Sequence, residues 1–380
     1  MLPLEGVRVL ELGQNLAGPF CAQILGYLGA DVVKVERPGA GDDARHWGPP
    51  FVDGDAAIFH AVNQNKRSVS VDLKSQADLD WLLSTLGDYD VLVQNLRAGV
   101  MEDLGLTAER LLACNPRLIY CAINAYGRSG PMKDKPGYEP IVQAFSGLMM
   151  VSGENDGPPV RLGTQVLDHG TGIWSALGIL AALQKRERTG KGGVVDASLF
   201  DTAMVWQAVH YSNFVATGAL PDRHPTGSPR LVVFEAVDCA DGPLVVSAGN
   251  DRLFKKLALA VGKPDWATDP RMEKNTGRRE HREEIMSELR AIMRTRSRAE
   301  WSEILDIAGV PCAPVNRLDA VVKDPQFEAA DMARSIPDLD HKVIGLPLRF
   351  DGERPSIRRR TPKSGEHTAE IRGADRDAAD

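Results

Sequence analysis

The first forty residues alternate between two periodicities, and that alternation restricts the fold more than any other feature of the chain. Val7-Arg8-Val9-Leu10-Glu11-Leu12 reads as a strand and Gly13 to Pro19 as a loop. Phe20 to Leu28 has the apolar spacing of a helix and stops at Gly29, and Asp31 to Glu36 is a second strand ended by Pro38-Gly39. A strand–helix–strand unit closes with a right-handed crossover and places its strands parallel.

The pattern repeats. Ser68 to Leu73 is a strand, Gln76 to Leu86 a helix, Asp90 to Val93 a strand, Thr107 to Cys114 a short helix and Arg117 to Asn124 a strand. Five strands with helices between them predict an α/β fold with a mostly parallel, Rossmann-like sheet covered on both faces. Ligands of such sheets bind at the carboxyl ends of the strands, so the loops after Leu12, Glu36, Val93 and Asn124 are the places to search. Two further helices are predicted, from Gly170 to about Arg188 and from Leu199 to Val215.

At 380 residues the chain is long enough for two or three domains. Residues 1–216 form the large domain in this reading, and 217–229, rich in Gly, Pro and polar residues, a linker. Residues 230–325 form a smaller α+β domain, with strands Leu231–Val237 and Leu244–Ser247 flanking Asp241-Gly242 and helices over Asp251–Val261 and His281–Ala308. Residues 326–380 return to the large domain and end in a tail that frays from Gly373.

Charge and cysteine usage exclude several classes. Forty-five basic against 52 acidic residues give a net charge of −7, which argues against a nucleic-acid binder but leaves room for one local basic pocket. The cysteines Cys21, Cys114, Cys121, Cys239 and Cys312 are scattered and odd in number, so buried free thiols are expected and neither a disulfide framework nor a metal site. The N-terminus has no basic leader and no apolar run approaches a membrane span, so no membrane partner and a reducing cytoplasm are expected. Neither G-x-x-x-x-G-K-[ST], G-x-S-x-G nor H-E-x-x-H occurs.

Three features carry possible chemistry. The first βα turn, Gly13-Gln14-Asn15-Leu16-Ala17-Gly18-Pro19, lacks the dinucleotide glycine pattern. Glu36 nevertheless sits about where a ribose-binding acid would, which keeps an NAD-dependent dehydrogenase under consideration. Arg37, Arg45, Lys66, Arg67 and Arg97 recur beside strand ends; scattered solvated charge and a polyphosphate site both account for them. Asp168, in Val166-Leu167-Asp168-His169-Gly170-Thr171-Gly172, opens a long helix whose N-terminus would keep it ionised and oriented, and the two glycines leave room for a ligand. From the residues alone, a plain helix cap and a nucleophile toward an activated acyl group both remain open.

Taken in order, several motifs resemble the family III CoA-transferases, the CaiB/BaiF or formyl-CoA transferase family. They include Leu16-Ala17-Gly18-Pro19, Gly29 to Glu36, Asn65-Lys66-Arg67-Ser68, Gln94 to Val100 and Asn115 to Ile119. Gly130-Pro131, Pro136-Gly137-Tyr138-Glu139, Thr189 to Gly193 and Gly365-Glu366-His367-Thr368 extend the similarity to about residues 2–370. The resemblance implies transfer of CoA from a small acyl-CoA, with succinyl-CoA the best guess, to a carboxylic acid through an aspartyl-CoA thioester on Asp168. It implies CoA contacts from Asn15, Leu16, Arg37, Lys66, Asn95, Arg97 and Tyr138, no metal, and no cofactor beyond CoA itself. It also implies an interlocked homodimer, with the site between the large domain of one chain and the small domain of the other.

Two departures matter. Some family members have an arginine where this chain has Asp103, so that phosphate contact would pass to Arg45 or Arg67. The glycine run of the formyl-CoA enzymes is absent and Ser247 to Asp251 stands in its region, which disfavours oxalate or formate. A 2-methylacyl-CoA racemase is the main alternative; that branch has Gly-His-Asp where this chain has Gly137-Tyr138-Glu139, and Tyr is a poor proton-transfer group near neutral pH. His169, beside Asp168, could reopen that alternative.

Overall fold

A computed structural model describes residues 2–374. The chain divides into two compact units, one formed by Met1–Leu148, Arg161–Tyr211 and Glu328–Asp380, the other by Met149–Val160 and Ser212–Phe327.

The first unit is built on six parallel strands: β1 (Arg8–Leu12), β2 (Asp31–Glu36), β3 (Lys66–Ser70), β4 (Val91–Gln94), β5 (Ile119–Asn124) and β6 (Gly193–Ser198). Their order across the sheet is β3-β2-β1-β4-β5-β6, every pairing parallel. The chain therefore moves outward one way from β1 and the other way from β4, which leaves a crevice between the loops that follow these two neighbours. The central strands are buried on both faces, which is why they read as apolar runs. One face, including Leu10, Val33, Val69, Leu92 and Tyr120, packs against Leu82, Leu86, Leu106 and Leu111.

Two differences from the sequence reading bear on function. β3 begins at Lys66 rather than Ser68, so Lys66 and Arg67 are strand residues paired opposite Val32 and Val33. The sequence reading lacks β6, an edge strand that is only partly buried and so does not show the apolar run of the central strands. Helix α1 (Ala17–Tyr27) follows β1, α2 (Gln76–Thr85) follows β3, and α3 (Glu139–Phe145) lies between β5 and the long helix α4 (Val166–Thr189). By length and composition α4 is apolar enough to cross a bilayer, contrary to the sequence reading, yet 44% of its most apolar stretch is buried within the protein, where it packs against α1 and β6.

The C-terminal segment is tied to this unit by specific bonds. Asn65 N donates to Arg359 O (3.1 Å), Ser70 N to Thr368 Oγ1 (2.9 Å) and His367 N to Ser68 O (2.9 Å), so the Gly365–Thr368 motif satisfies backbone groups along the β3 edge. Gly373 lies within a terminal helix, Thr368–Ala374; the rest of the tail expected to fray is outside the described residues.

The second unit carries a three-stranded antiparallel sheet, β7 (Phe234–Cys239), β8 (Gly242–Ser247) and β9 (Cys312–Pro314), in the order β9-β8-β7. Val237, Leu244, Val246, Phe254, Leu257, Leu289 and Trp301 form its core. The single helix expected over His281–Ala308 is two, Arg282–Met293 and Arg298–Ala308, because Ser297 and Glu300 form a capping box that starts a new helix. Within 217–229, Arg223 is buried and donates to the carbonyls of Ser152 (2.8 Å), Gly157 (2.7 Å) and Pro158.

Candidate active site

The crevice at the strand-order reversal is a real cleft of about 250 Å³. Its walls are Gln14 to Ala17 after β1, Asn95 to Ala98 after β4, Ile123 to Ala125 after β5, the segment Lys133 to Glu139, and Asp168 at the start of α4. The β1 and β4 loops are stitched together: Gln14 N donates to Asn95 Oδ1 (2.7 Å) and Asn95 Nδ2 to Gln14 O (2.9 Å). Gly18 permits this, since a Cβ there would sit 2.8 Å from Asn95 Oδ1.

Asp168 occupies the third position of α4 and is half-buried; Gln165, not Asp168, is the cap residue, and the helix starts four residues before Gly170. Glu139, the first residue of α3, lines the same cleft but is buried, with its carboxylate accepting from Gln143 Nε2 (2.5 Å) and paired with Arg161 (3.2 Å). Burial and then the charge of Glu139 push Asp168 up to about 7, against the pull of Arg161. The expectation that the helix end alone holds it ionised is therefore corrected: desolvation and a neighbouring carboxylate outweigh a helix-terminus effect worth about 1 kcal/mol. The expectation that Gly170 and Gly172 make room for a ligand is corrected too. A Cβ on Gly170 would meet Trp206 at 2.8 Å and one on Gly172 would meet Ala17 O at 3.0 Å, so both glycines serve helix packing.

Of the residues singled out in the sequence, the structure brings Asn15, Leu16, Asn95, Arg97, Tyr138 and Asp168 to one cleft. Arg37 stands beside it, its exposed guanidinium paired with the cleft residue Asp43. Lys66 is not there. Its ammonium is fully buried, pairs with Glu11 (2.8 Å) and donates to Pro19 O (2.8 Å) and Asn63 Oδ1 (2.9 Å). Burial lowers it to about 8 despite Glu11. The substitutes proposed for the missing basic residue at Asp103 are engaged as well: Arg45 is buried against Glu36 (2.6 Å) and Asp55 (3.0 Å), and Arg67 pairs with Asp31 (2.6 Å) and Glu370 (2.7 Å). Glu36, the acid a nicotinamide ribose would need, is sealed under Arg45 and Ser68.

The cations that do face the cleft are Arg97, Lys133 and Lys135, all exposed, and among the described residues none has a carboxylate partner. Lys133 and Lys135 were missed because they precede Pro136-Gly137-Tyr138 in an irregular segment, although Lys-Asp-Lys was itself a visible signal. His169 faces elsewhere: it lines a separate cavity of about 600 Å³, bonds Gln165 O through Nδ1 (2.9 Å) and packs edge-on to Phe20. Among the described residues no group of three or more His, Cys, Asp or Glu is placed to hold a metal. Cys21, Cys121 and Cys239 are buried free thiols, but Cys114 is exposed, contrary to expectation.

At the switch point of this parallel α/β sheet a half-buried carboxyl shares one cleft with three cations that have no carboxylate partner among the described residues, an arrangement suited to an anionic ligand. The family model for CoA-transferase family III matches residues 4–368, and the chain belongs to that family of CoA-transferases. It is 37% identical to a succinate–glutarate CoA-transferase of Agrobacterium fabrum, over 97% of this chain and 94% of that protein. It is 37% identical to an acetyl-CoA:oxalate CoA-transferase of Acetobacter aceti, over 97% and 95%. Among solved structures, a CaiB/BaiF family protein of Brucella suis superposes with a TM-score of 0.87 at 36% identity, over 98% of this chain and 99% of that one.

Proposed function

We propose that the protein moves CoA from succinyl-CoA to a carboxylic acid, with Asp168 as the nucleophile. The observation that carries this reading is the presence of Asp168 in one cleft with Arg97, Lys133 and Lys135, three cations with no carboxylate partner among the described residues. Unpaired cations at the mouth suit the phosphates of CoA, and a carboxyl near 7 is partly ionised at neutral pH.

In the first step the Asp168 carboxylate attacks the thioester carbonyl, the C–S bond breaks, and CoA leaves as a thiolate from an aspartyl–acyl anhydride. The thiolate then attacks the aspartyl carbonyl, releases the donor acid as its carboxylate and leaves an aspartyl-CoA thioester. The acceptor carboxylate attacks that thioester to form a new anhydride, and the released thiolate takes the acceptor's acyl carbon and restores Asp168. Each bond is replaced by one of similar energy, so no nucleotide hydrolysis is required. Asn15, Leu16, Asn95, Arg97 and Tyr138 would line the CoA path, with Arg37 at its edge.

The doubly wound strand order supports a Rossmann-like large domain. Ile173, Trp174, Leu177, Trp206 and Val209 are large apolar side chains left exposed in the first unit, which supports a homodimer of the 41.3 kDa chain. The free thiols support a reducing, cytoplasmic setting. The two bacterial relatives named above act on different acids at equal identity, so the acceptor is to be found by assay.

The experiment is turnover of succinyl-CoA with a panel including glutarate and oxalate, by wild type, Asp168→Ala and Asp168→Asn. The intact wild-type protein is weighed after exposure to succinyl-CoA alone. A CoA adduct on the Asp168 peptide and loss of turnover in both variants are expected; wild-type rates in the variants would reject the nucleophile. A racemase reading retains one favourable observation, two carboxyls, Asp168 and Glu139, in one cleft. Deuterium uptake at the α-carbon without any acceptor would establish it.

A further inference from the structure

The loop that forms the cleft's first wall is held from behind by charges that do not touch the cleft. Lys34, on β2, is fully buried and places its ammonium 2.7 Å from Gly13 O, 2.9 Å from Glu11 Oε1 and 2.8 Å from Asp42 Oδ2. The other oxygen of Asp42 accepts from Asn15 N (3.0 Å) and from Ala44 N (2.9 Å), while Asp42 N donates to Glu36 Oε2 (2.8 Å). Asn15 has φ of 65°, a left-handed conformation that a non-glycine residue keeps only where neighbours fix it. Lys66, pinned to Glu11, closes the far end of the loop through Pro19 O.

We infer that Asp42 is a positioning residue for the acyl-CoA site: held by Lys34, it fixes the left-handed backbone of Asn15 so that Asn15 and Leu16 face the cleft. This rests on the reading of the cleft as the CoA site. The reason is chemical economy of contacts. Asp42 is 2% exposed and does not line the cleft, yet it receives the backbone of a residue that does. A buried carboxylate that accepts two backbone N–H groups and pairs with a buried ammonium has one arrangement open to it, because any other strands a charge. Without Asp42 the Asn15 N–H loses its acceptor and the backbone relaxes to negative φ, which turns the Asn15 and Leu16 side chains. The acting chemical step at Asp168 lies on another element and is left intact.

The test measures CoA affinity by calorimetry and steady-state kinetics with succinyl-CoA for wild type, Asp42→Asn, Asp42→Ala and Leu82→Ala. Leu82 is a fully buried core residue outside the cleft and serves as a control for general loosening. Asp42→Ala is expected to weaken CoA binding and raise KM about tenfold with kcat within about threefold, since binding and not chemistry is lost. Asp42→Asn, which keeps an acceptor oxygen for Asn15 but not the ion pair, is expected to weaken CoA binding about threefold. Leu82→Ala is expected to lower Tm and leave CoA affinity unchanged. CoA binding as in wild type by folded Asp42→Ala overturns the inference, and so does equal weakening by Leu82→Ala. Should Asp42→Ala fail to fold, unchanged affinity in Asp42→Asn overturns it. Wild-type protein that binds no CoA would instead overturn the reading of the cleft.

Discussion

Arg161 holds Glu139 by an ion pair of 3.2 Å, and Glu139 in turn raises the carboxyl of Asp168. The pair acts through the field inside a partly desolvated cleft, where a charge is weakly screened. Glu139 makes the Asp168 anion harder to form, and Arg161 limits the effect. A carboxylate destabilised in this way is a better nucleophile once formed, and it is available at neutral pH because its midpoint lies at about 7.

The rate should therefore follow the ionisation of Asp168. With the group raised to about 7, kcat/KM with succinyl-CoA is expected to rise with pH through about 7 and then level off. Glu139→Gln removes one raising influence and should shift that midpoint toward acid. Stability follows the opposite direction. The folded state binds a proton that the unfolded chain releases near its ordinary value of 3.8, so stability falls as pH rises from about 4 to 7. Asp168→Asn should then be more stable than wild type at pH 8, by about 1 to 3 kcal/mol, with the gap closing toward pH 4. A flat pH–rate profile between 5 and 9 would contradict the assignment.

Arg97, Lys133 and Lys135 should behave as binding groups. Replacing any one with Ala is expected to raise KM for acyl-CoA several-fold, about 1 kcal/mol of a charge-assisted contact, with kcat little changed. Because all three are exposed, the effect should shrink in high salt. Lys66→Ala has a different signature: it removes the ammonium from Glu11 Oε2, with Lys34 still on Oε1, and leaves a buried void, so its main effect should be a lower Tm, with any rise in KM following from the loosened loop.

That contrast marks what was legible in the sequence. The parallel strands were, because strands buried on both faces are apolar runs, and so was the place of Asp168 at the start of a long helix, because the apolar helical spacing begins beside it. Lys66 was misjudged because a lysine in a polar tetrapeptide reads as loop. Its burial depends on Glu11, 55 positions away and brought adjacent only by the β3-β2-β1 order. The protonation of Asp168 was misjudged for the same reason, since its burial, and after that the charge of Glu139 on a different helix, are set by packing. Local patterns show what a residue prefers; they do not show which charge the topology sets beside it.

The buried carboxyls Glu36 and Asp42, held by Arg45 and Lys34, should dominate the acid sensitivity of the first unit. Burial works to raise Glu36, but Arg45, Lys34 and Ser68 together hold it below its ordinary value, and Asp42 is likewise lowered by Lys34. Carboxyls depressed in the folded state contribute stability above their unfolded values near 4 that is lost as pH falls below about 4. Arg45→Met leaves Glu36 buried and unpaired and is expected to cost about 3 to 5 kcal/mol in urea denaturation. A loss below 1 kcal/mol would show that the cluster relaxes.

Gly172 gives the most direct test of how the helix carrying Asp168 is seated. In an isolated helix, Gly→Ala would stabilise by about 1 kcal/mol. Here the new Cβ would meet Ala17 O at 3.0 Å, Phe20 Cδ1 at 3.0 Å and Cys21 N at 3.2 Å, and two of these atoms are backbone of α1 that cannot rotate away. Helices α1 and α4 must then separate by a few tenths of an ångström, and overpacking of that kind costs about 1 to 3 kcal/mol. The net expectation for Gly172→Ala is a loss of about 1 kcal/mol by urea denaturation. Ala17, whose carbonyl takes the clash, lines the cleft, and Asp168 lies one turn before Gly172 on the same helix. Turnover should therefore fall along with stability. A variant more stable than wild type, with turnover unchanged, would show that the helix pair tolerates the methyl and that the glycine does not set the position of Asp168.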